Sequence, residues 1–263
     1  RVVDLGAAYL TAQEPRFAAV VADWTRRGLA REWTDTFATA SPTGLGPARR
    51  GPVRFAAPAG LRSLVEDLVP DGVRSERAVA QVGPGPLVDA EPYDAVVLAM
   101  PDPQALRLLH PAERAARAAL ADRAWEPVLS VAAGWAERTW DLDGCFVNDS
   151  PVLGFVADDG RRRGDGAPVL VAHSAAAHAA QHLADPEAGV PDVVDAVRAL
   201  LDLPEPEWTA VQRWTYARPG QLHDEPYGLF DGLGVCGDSW GSPKVETAWL
   251  SGTLLGEALS ARA

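Results

Sequence analysis

The chain has 263 residues, of which 47% are apolar and 23% are charged. These values are typical of a globular protein, and the length suffices for one large domain or two interleaved ones. The net charge of −12 disfavours binding to a nucleic acid backbone. No apolar run reaches the roughly 18 residues of a membrane span and no signal peptide is evident, so we expect a soluble cytoplasmic protein.

The first 122 residues predict helices that alternate with strands and loops. A helix is expected over 15–33, because Phe17, Val21 and Trp24 recur at helical spacing, with Gly28 as a stop. The composition of 41–52 predicts a loop. The remaining predictions are a short helix at 61–69, weakly alternating strands at 73–82, an apolar strand buried on both faces at 93–100, and helical structure over 104–122.

The rest of the chain predicts separate short strands followed by helices. Five strands are predicted, and turn residues separate the first four of them. The segment 158–163, which holds three consecutive arginines, predicts an exposed hairpin tip. The strands are expected at 128–135, 145–147, 152–157, 169–175 and 208–218, and the helices at 175–184, 190–202 and 245–260. The layout is mixed α/β (α+β): a buried sheet from 73–101 and 230–263 wraps around an antiparallel sheet from 128–218.

Residues 234–259 carry the most chemical information. A short apolar strand ends in Gly237-Asp238, and a helix follows after a loop, near Val245. The free N–H groups of a helix N-terminus suit an electron-rich carbonyl or phosphate, and an acid at a strand end can accept hydrogen bonds from sugar hydroxyls. Small residues permit close approach to this helix. They are Ala248, Ser251, Gly252 and Gly256.

This stretch resembles the C-terminal flavin-binding signature of the amine-oxidase-like flavoproteins, in which "GD", a short loop and "VEGA..SG" hold FAD. Thr247 stands where the family usually has Gly. The matching residues are Gly237, Asp238, Val245, Glu246, Ala248, Ser251 and Gly252.

Further segments resemble family motifs, and three of them occur in the same order as in the family. Residues 4–9 resemble "DHGAQYF" beside the flavin, 58–61 resemble "PGGM", and 93–101 resemble the "DAVVLAxP" strand that lines the cofactor cleft. Residues 212–214 resemble the "HRW" of the renalase-like branch, with Gln212 in place of His. Within that branch the resemblance spans nearly the whole chain.

The resemblance implies a partial Rossmann-like FAD-binding subdomain of 1–8, 58–101 and 225–263, and an antiparallel-sheet substrate subdomain of 9–57 and 102–224. It places three side chains at the substrate cavity: Tyr9, His173 and Trp214. The implied cofactor-binding residues are Asp4, Gly6, Ala7, Ala59, Gly60, Val79, Pro101, Gly237, Asp238, Lys244, Val245 and Ala248.

No GxGxxG motif occurs in the sequence, although such flavoproteins begin with a strand–GxGxxG–helix unit. The prolines of 83–86 remove N–H donors that a pyrophosphate needs, so this segment is no substitute. The expectation is a fragment, a misassigned start, or a form that has lost strong FAD binding. As given, the chain is expected to bind FAD weakly or not at all.

Other polar residues favour structural roles. His178 and His182 have the spacing of a metal pair on a helix, but no HExxH pattern and no third ligand accompany them, so no metal site is expected. Cys145 and Cys236 fit neither a metal spacing nor a disulfide framework and are predicted to be reduced core residues. No Ser-His-Asp or Cys-His triad can be argued from spacing, as expected where a cofactor performs the chemistry.

The resemblance therefore implies a flavin-dependent oxidoreductase of the NAD(P)/FAD-dependent type. It would transfer hydride to FAD from a small reduced substrate, a dihydronicotinamide or an amine. The alternative is a non-catalytic remnant or an interaction subunit with the same fold and no bound flavin. The expected partner is a small molecule, with neither nucleic acid nor membrane.

Overall fold

The computed structural model describes residues 3–69 and 72–262, in two compact units. Unit 1 comprises the described residues of Arg1–Val69 and Glu126–Ala217, and unit 2 those of Pro70–Trp125 and Arg218–Ala263. Both are discontinuous in sequence, as predicted for the fold. Residues 3–8 and 58–69 fall in unit 1 and 102–125 in unit 2, unlike the predicted subdomain boundaries. The cofactor and substrate roles given to those subdomains stay predictions.

Unit 1 begins with a helix and a meander of strands. Glu14 caps the helix by accepting a hydrogen bond from the Phe17 N–H (3.0 Å), and Gly28, at φ +74°, follows its end. The helix is therefore shorter than predicted, because 31–33 already belong to a strand, and the predicted loop over 41–52 is wrong, because strands cover most of it. The elements are α1 (Pro15–Arg26), β1 (Arg31–Ser41), β2 (Gly44–Leu45), β3 (Arg49–Ala56) and α2 (Arg62–Leu68).

The second segment of unit 1 completes an eight-stranded sheet with the order β11-β7-β10-β9-β8-β1-β2, and β3 pairs with β1. β1 and β8 run parallel, whereas β10 is antiparallel to both β7 and β9. These elements are β7 (Trp125–Gly134), β8 (Gly144–Val147), β9 (Leu153–Asp158), α5 (Asp159–Arg163), β10 (Val169–Ser174), α6 (Ala176–Gln181), α7 (Val190–Leu201) and β11 (Trp208–Pro219). Helix α7 packs its valines into the core of this sheet.

The predicted hairpin tip at 158–163 is a buried helical turn instead. The Asp158 carboxylate caps α5 by accepting a hydrogen bond from the Arg161 N–H (2.8 Å), and Gly164, at φ +83°, ends the helix. Asp158, Asp159 and Arg162 are at most 1% exposed. The run of charged residues predicted a surface turn. These side chains can be buried because acids and arginines of the segment pair with each other.

Unit 2 contains a three-stranded sheet in which β6 and β13 run parallel and β12 is antiparallel to β13. The prediction that the 93–100 region and the 230–263 region share one sheet is confirmed. Burial on both faces is wrong, because Val96 and Leu98 are buried while Val97 is 43% exposed. The described part of 73–82 forms no strand beyond an isolated bridge at Val82.

Helices cover the sheet of unit 2 and supply much of its core. Ala105, Leu109, Ala116 and Leu120 pack with apolar residues of the strands, which explains why 102–125 lies in this unit. The elements are β4 (Leu87–Val88), β5 (Glu91–Pro92), β6 (Val96–Ala99), α3 (Asp102–Leu108), α4 (Arg114–Leu120), β12 (Gly228–Phe230), β13 (Leu233–Cys236) and α8 (Val245–Ser260). No helix in the described ranges has the length and apolar character to cross a membrane.

Candidate functional site

The carboxyl edge of the parallel pair in unit 2 gathers several of the predicted cofactor residues. Ala99 and Cys236 are register partners at the ends of β6 and β13. Pro101-Asp102 follows the first strand and Gly237-Asp238 the second. Because parallel strands end at the same edge, these residues lie at one edge of the sheet, where α/β proteins commonly bind ligands.

Gly237 leaves this edge open. Its φ is +155°, and a Cβ placed on it would meet no atom within 4 Å. Its N–H donates a hydrogen bond to the Ser251 Oγ (3.2 Å), which attaches the strand end to α8. A Cβ on Gly252 would lie 4.0 Å from the Cys236 Sγ. Ser251 and Gly252 therefore serve the packing of α8 on β13.

Asp238 is the acid at this edge whose pKa is shifted from its usual value. Burial raises the pKa of its carboxyl, and the negative charge of Asp102 raises that pKa further. Among the described residues, no other side chain donates a hydrogen bond to this carboxylate. The group is half-buried and can accept hydrogen bonds from a ligand.

Sequence reasoning missed the buried pair of Asp102 and His223. The Asp102 Oδ1 lies 2.9 Å from the His223 Nε2, and its Oδ2 accepts a hydrogen bond from the Trp125 Nε1 (3.1 Å). The His223 ring stacks on Trp240, with centroids 3.7 Å apart and 5° between planes. Its backbone N–H donates to the Ser239 carbonyl (2.8 Å), which fixes the loop after Asp238. The sequence signal that could have indicated this pair is the position of Asp102, an acid shortly after the predicted strand at 93–100.

The remaining predicted residues of unit 2 have different environments. Helix α8 begins at Val245, and Lys244 is its extended N-cap residue, with no side-chain capping hydrogen bond. Val245 is half-buried, whereas Lys244 and Ala248 are exposed. Val79 packs against the hydrophobic core of unit 2.

Unit 1 brings two of the predicted flavin segments together. The Asp4 carboxylate accepts a hydrogen bond from the Leu61 N–H (2.8 Å), which links 4–9 to 58–61. Gly60 has a φ of +90°, and its Cβ position lies 3.8 Å from the Asp4 carboxylate. Arg162 fixes the first segment, because its Nη2 donates to the Asp4 carbonyl (2.8 Å) and its Nη1 to the Ala8 carbonyl (3.0 Å). Ala7 and Ala59 are exposed.

Arg163 lies beside these segments with unused donors. Its Nη1 is 3.5 Å from the Cβ position of Gly60, near Asp4. Its Nε and Nη1 are buried and have no hydrogen-bond partner within 3–69 and 72–262. Buried donors without partners are unfavourable, so an acceptor atom of a ligand would satisfy them.

Two of the predicted substrate residues belong to one aromatic cluster. The Tyr9 ring lies 6.3 Å from Phe155, which lies 5.9 Å from His173. Arg54, which sequence reasoning missed, is 7% exposed and stands 3.8 Å from the Phe37 ring centroid and 5.4 Å from that of Tyr9. The cluster combines flat apolar walls with one buried cation.

Trp214 attaches to the predicted flavin segment. Its Nε1 donates to the Leu5 carbonyl (2.7 Å), and its ring reaches within 3.8 Å of the Cβ position of Gly6. The side chain is 42% exposed and therefore accessible. Two open cavities of unit 1, of about 570 and 540 Å³, are lined by none of Tyr9, His173 and Trp214.

Comparison with known proteins shows a shared fold. No model of a protein family matches the chain. A structure from Exiguobacterium sp. 255-15, described as a "putative protoporphyrinogen oxidase", matches 79% of this chain and 52% of its own, with 15% identity and a TM-score of 0.55. Cyclohexylamine oxidase from Brevibacterium oxydans IH-35A matches 64% of this chain and 43% of its own, with 14% identity and a TM-score of 0.47. The chain spans about half the length of these structures, and the first likeness identifies its fold as one found in that protein.

Proposed function

We propose that this chain acts as a flavin-dependent oxidoreductase that transfers hydride from a small reduced substrate, a dihydronicotinamide or an amine, to FAD. The observation that carries the proposal is the carboxyl edge of the β6–β13 pair, with an accessible Asp238 followed by α8. These features occur in the order of the flavin-binding signature that the sequence resembles. The likeness in fold to a structure named as an oxidase supports the same proposal.

The residues of unit 2 fit the polyhydroxyl part of such a cofactor. Within the part of the chain that the structure describes, the Asp238 carboxylate receives no hydrogen bond from another side chain, and the space beside Gly237 is open. A carboxylate accepts hydrogen bonds from hydroxyl groups, and these charge-assisted bonds are stronger than neutral ones. We therefore assign Asp238 to a ribityl hydroxyl.

The residues of unit 1 fit an acceptor-rich planar group. The orphaned Nε and Nη1 of Arg163 need acceptors, and Asp4 and Gly60 lie beside them. Carbonyl oxygens and ring nitrogens of planar ligands are acceptors of this kind. The exposed Ala59 adds no bulk at this point.

FAD, when bound, supplies the acceptor for the hydride. The chain would bind and orient the cofactor. The first turn of α8, which has no side-chain cap, presents N–H groups and a partial positive charge, and Lys244 adds a formal positive charge at that helix end. The Asp102–His223–Trp240 group acts through the Ser239 carbonyl to position the loop that carries Asp238. Tyr9, His173 and Trp214 would contact the substrate through aromatic surfaces.

The proposal is tested by titrating FAD with the purified chain and following flavin fluorescence. We expect weak, saturable binding that Asp238→Ala reduces about tenfold to a hundredfold, because a hydrogen bond to a charged group contributes about 1.5–3 kcal/mol. Asp224→Ala is the matched control, since it removes an exposed acid of the same unit and should leave the affinity unchanged.

A second measurement addresses the reaction. Anaerobic mixing of the flavin-loaded chain with a dihydronicotinamide or an amine should bleach the flavin absorbance at about 450 nm. Equal affinity of the Asp238→Ala and parent chains would contradict the site. A folded chain that binds no FAD at any concentration would instead favour a non-catalytic protein.

A further inference from the structure

Three side chains of unit 1, all outside the groups described above, converge at the connection between α6 and α7. They are His178 within α6, His182 just after its end, and Asp192 in the first turn of α7. Each offers one ligand atom, and these atoms all lie within 4.8 Å of one another. The sequence showed the histidine pair, and the fold supplies the third side chain.

The environment of His178 defines which of its nitrogens can bind. Its Nε2 lies 3.0 Å from the Gly189 carbonyl oxygen. A carbonyl only accepts hydrogen bonds, so Nε2 carries the proton and Nδ1 keeps its lone pair. A backbone carbonyl that holds one imidazole N–H while the other nitrogen binds an ion is a usual feature of metal sites. His178 is 5% exposed, which restricts its reorientation.

The spacing between the ligand atoms suits an ion between them. The His178 Nδ1 and the Asp192 Oδ2 are 3.9 Å apart, too far for a hydrogen bond. Bonds of about 2.0–2.2 Å to one tetrahedral ion place two ligands roughly 3.3–3.6 Å apart, so the three ligand atoms, which lie within 4.8 Å of one another, move towards the ion when it binds. The rings of His178 and His182 have centroids 4.6 Å apart.

Gly189 makes the arrangement possible in a second way. A Cβ at this position would lie 3.0 Å from the His182 Cγ, tighter than ordinary contact. Glycine therefore leaves room for the His182 ring, while its carbonyl orients His178. Asp192, whose side chain is 61% exposed, leaves the cluster accessible from solvent.

We propose that His178, His182 and Asp192 bind one divalent first-row transition-metal ion, with Zn²⁺ as the best match. Two neutral imidazoles and a carboxylate are borderline ligands of the kind that Zn²⁺ takes, and a water completes four-coordination. The ion would join the end of α6 to the start of α7, whose apolar face packs into the core of unit 1. Its effect is therefore stabilisation of that unit.

The test is calorimetric titration of Zn²⁺ into the metal-free chain without a histidine tag, with Co²⁺ as a spectroscopic probe. We expect one equivalent per chain, and at least tenfold weaker binding in His182→Ala and Asp192→Asn. The controls are His110→Ala, which removes an imidazole elsewhere, and Asp185→Asn, which removes an exposed acid of the same connection. Both should bind as the parent does.

Two further readouts separate a metal site from a structural cluster. Zn²⁺ should raise the melting temperature of the parent by several degrees and leave Asp192→Asn unchanged. Affinity should fall as the pH is lowered, because protons compete with the ion for the imidazole nitrogens. Absence of saturable binding, or one equivalent retained in both His182→Ala and Asp192→Asn, would overturn the proposal. Asp192 is an exposed residue, so its asparagine variant keeps the fold.

Discussion

The two units bury their acidic side chains in different ways. In unit 1, Asp158 accepts hydrogen bonds from the Arg138 Nε (2.6 Å), the Trp140 Nε1 (2.8 Å) and the Arg161 N–H, while Asp159 pairs with the buried Arg162. At the strand edge of unit 2, Asp238 receives no hydrogen bond from another side chain among the described residues.

This difference separates a structural cluster from a binding edge. A buried acid with complete partners fixes the local fold, and removal of one partner leaves a charge without compensation. A half-buried acid that receives hydrogen bonds only from its own backbone contributes little to the fold and is available to a ligand. Asp102 is intermediate, because it is fully buried with both oxygens occupied, yet it acts on the loop that holds Asp238.

The largest expected effect comes from Arg162→Ala in the unit 1 cluster. It removes the guanidinium that pairs with the buried Asp159 and that donates to the carbonyls of Asp4 and Ala8. We expect the free energy of unfolding to fall by about 3–5 kcal/mol, measured by urea denaturation.

Arg161→Ala is the matched control on the same helix. Its ion pairs involve the exposed Asp141 and the partly exposed Asp143, so we expect a loss of at most about 1 kcal/mol. The double change Asp159→Leu with Arg162→Met should recover part of the loss, because both charges are removed together. Equal losses for the two arginines would contradict the comparison.

A smaller decrease in the free energy of unfolding is expected for Asp102→Ala. It removes the carboxylate that accepts from the Trp125 Nε1 and pairs with the buried His223 Nε2, and the loss of each of these hydrogen bonds costs about 1–3 kcal/mol. The same denaturation experiment measures it, and FAD affinity should also fall because the loop of Asp238 loses its support. A loss of stability with unchanged FAD affinity would show that the group does not position the loop.

Asp238→Asn should slightly stabilise the chain at neutral pH. The raised pKa means that this carboxyl holds its proton more tightly in the folded than in the unfolded chain. The free energy of unfolding therefore falls as the pH rises from the usual Asp pKa of about 3.9 through the raised folded value.

The Asp238→Asn change removes this pH-dependent decrease in the free energy of unfolding. We expect a melting temperature about 1–3 °C above the parent at pH 7, and equal values for the two proteins below about pH 3. FAD affinity should drop in the same variant, so stability and binding change in opposite directions. A lower melting temperature at pH 7 would identify Asp238 as a structural acid like Asp158.

The smallest expected signal concerns the two buried thiols, one in each unit. Burial raises the pKa of Cys145 to about 11 and also raises that of Cys236. Because the thiolate is the reactive form, a disulfide reagent at pH 8 should label neither thiol in the native chain and both after denaturation. Rapid labelling of native Cys236 would show that the strand edge of unit 2 opens.

Local patterns predicted the elements whose signals lie within a few residues. The helices α2, α7 and α8 and the strands β8, β9 and β10 lie close to their predicted positions, since turn residues and periodic apolar residues bound them. The strand β1 was missed because the predicted helix was continued past Gly28. The helix α5 was missed because three consecutive arginines indicate solvent when their partners, such as Asp159, are not considered.

The sequence by itself determined the mixed α/β class, the placement of the 93–100 and 230–263 regions in one sheet, and the order of the flavin-like motifs, because each depends on local pattern or on chain order. Only the tertiary structure decided which polar groups meet. Asp102 and His223 are 121 residues apart, and Asp192 joins His178 and His182 from another helix. Contacts of this kind depend on how strands and helices pack, and composition and periodicity carry no record of that packing.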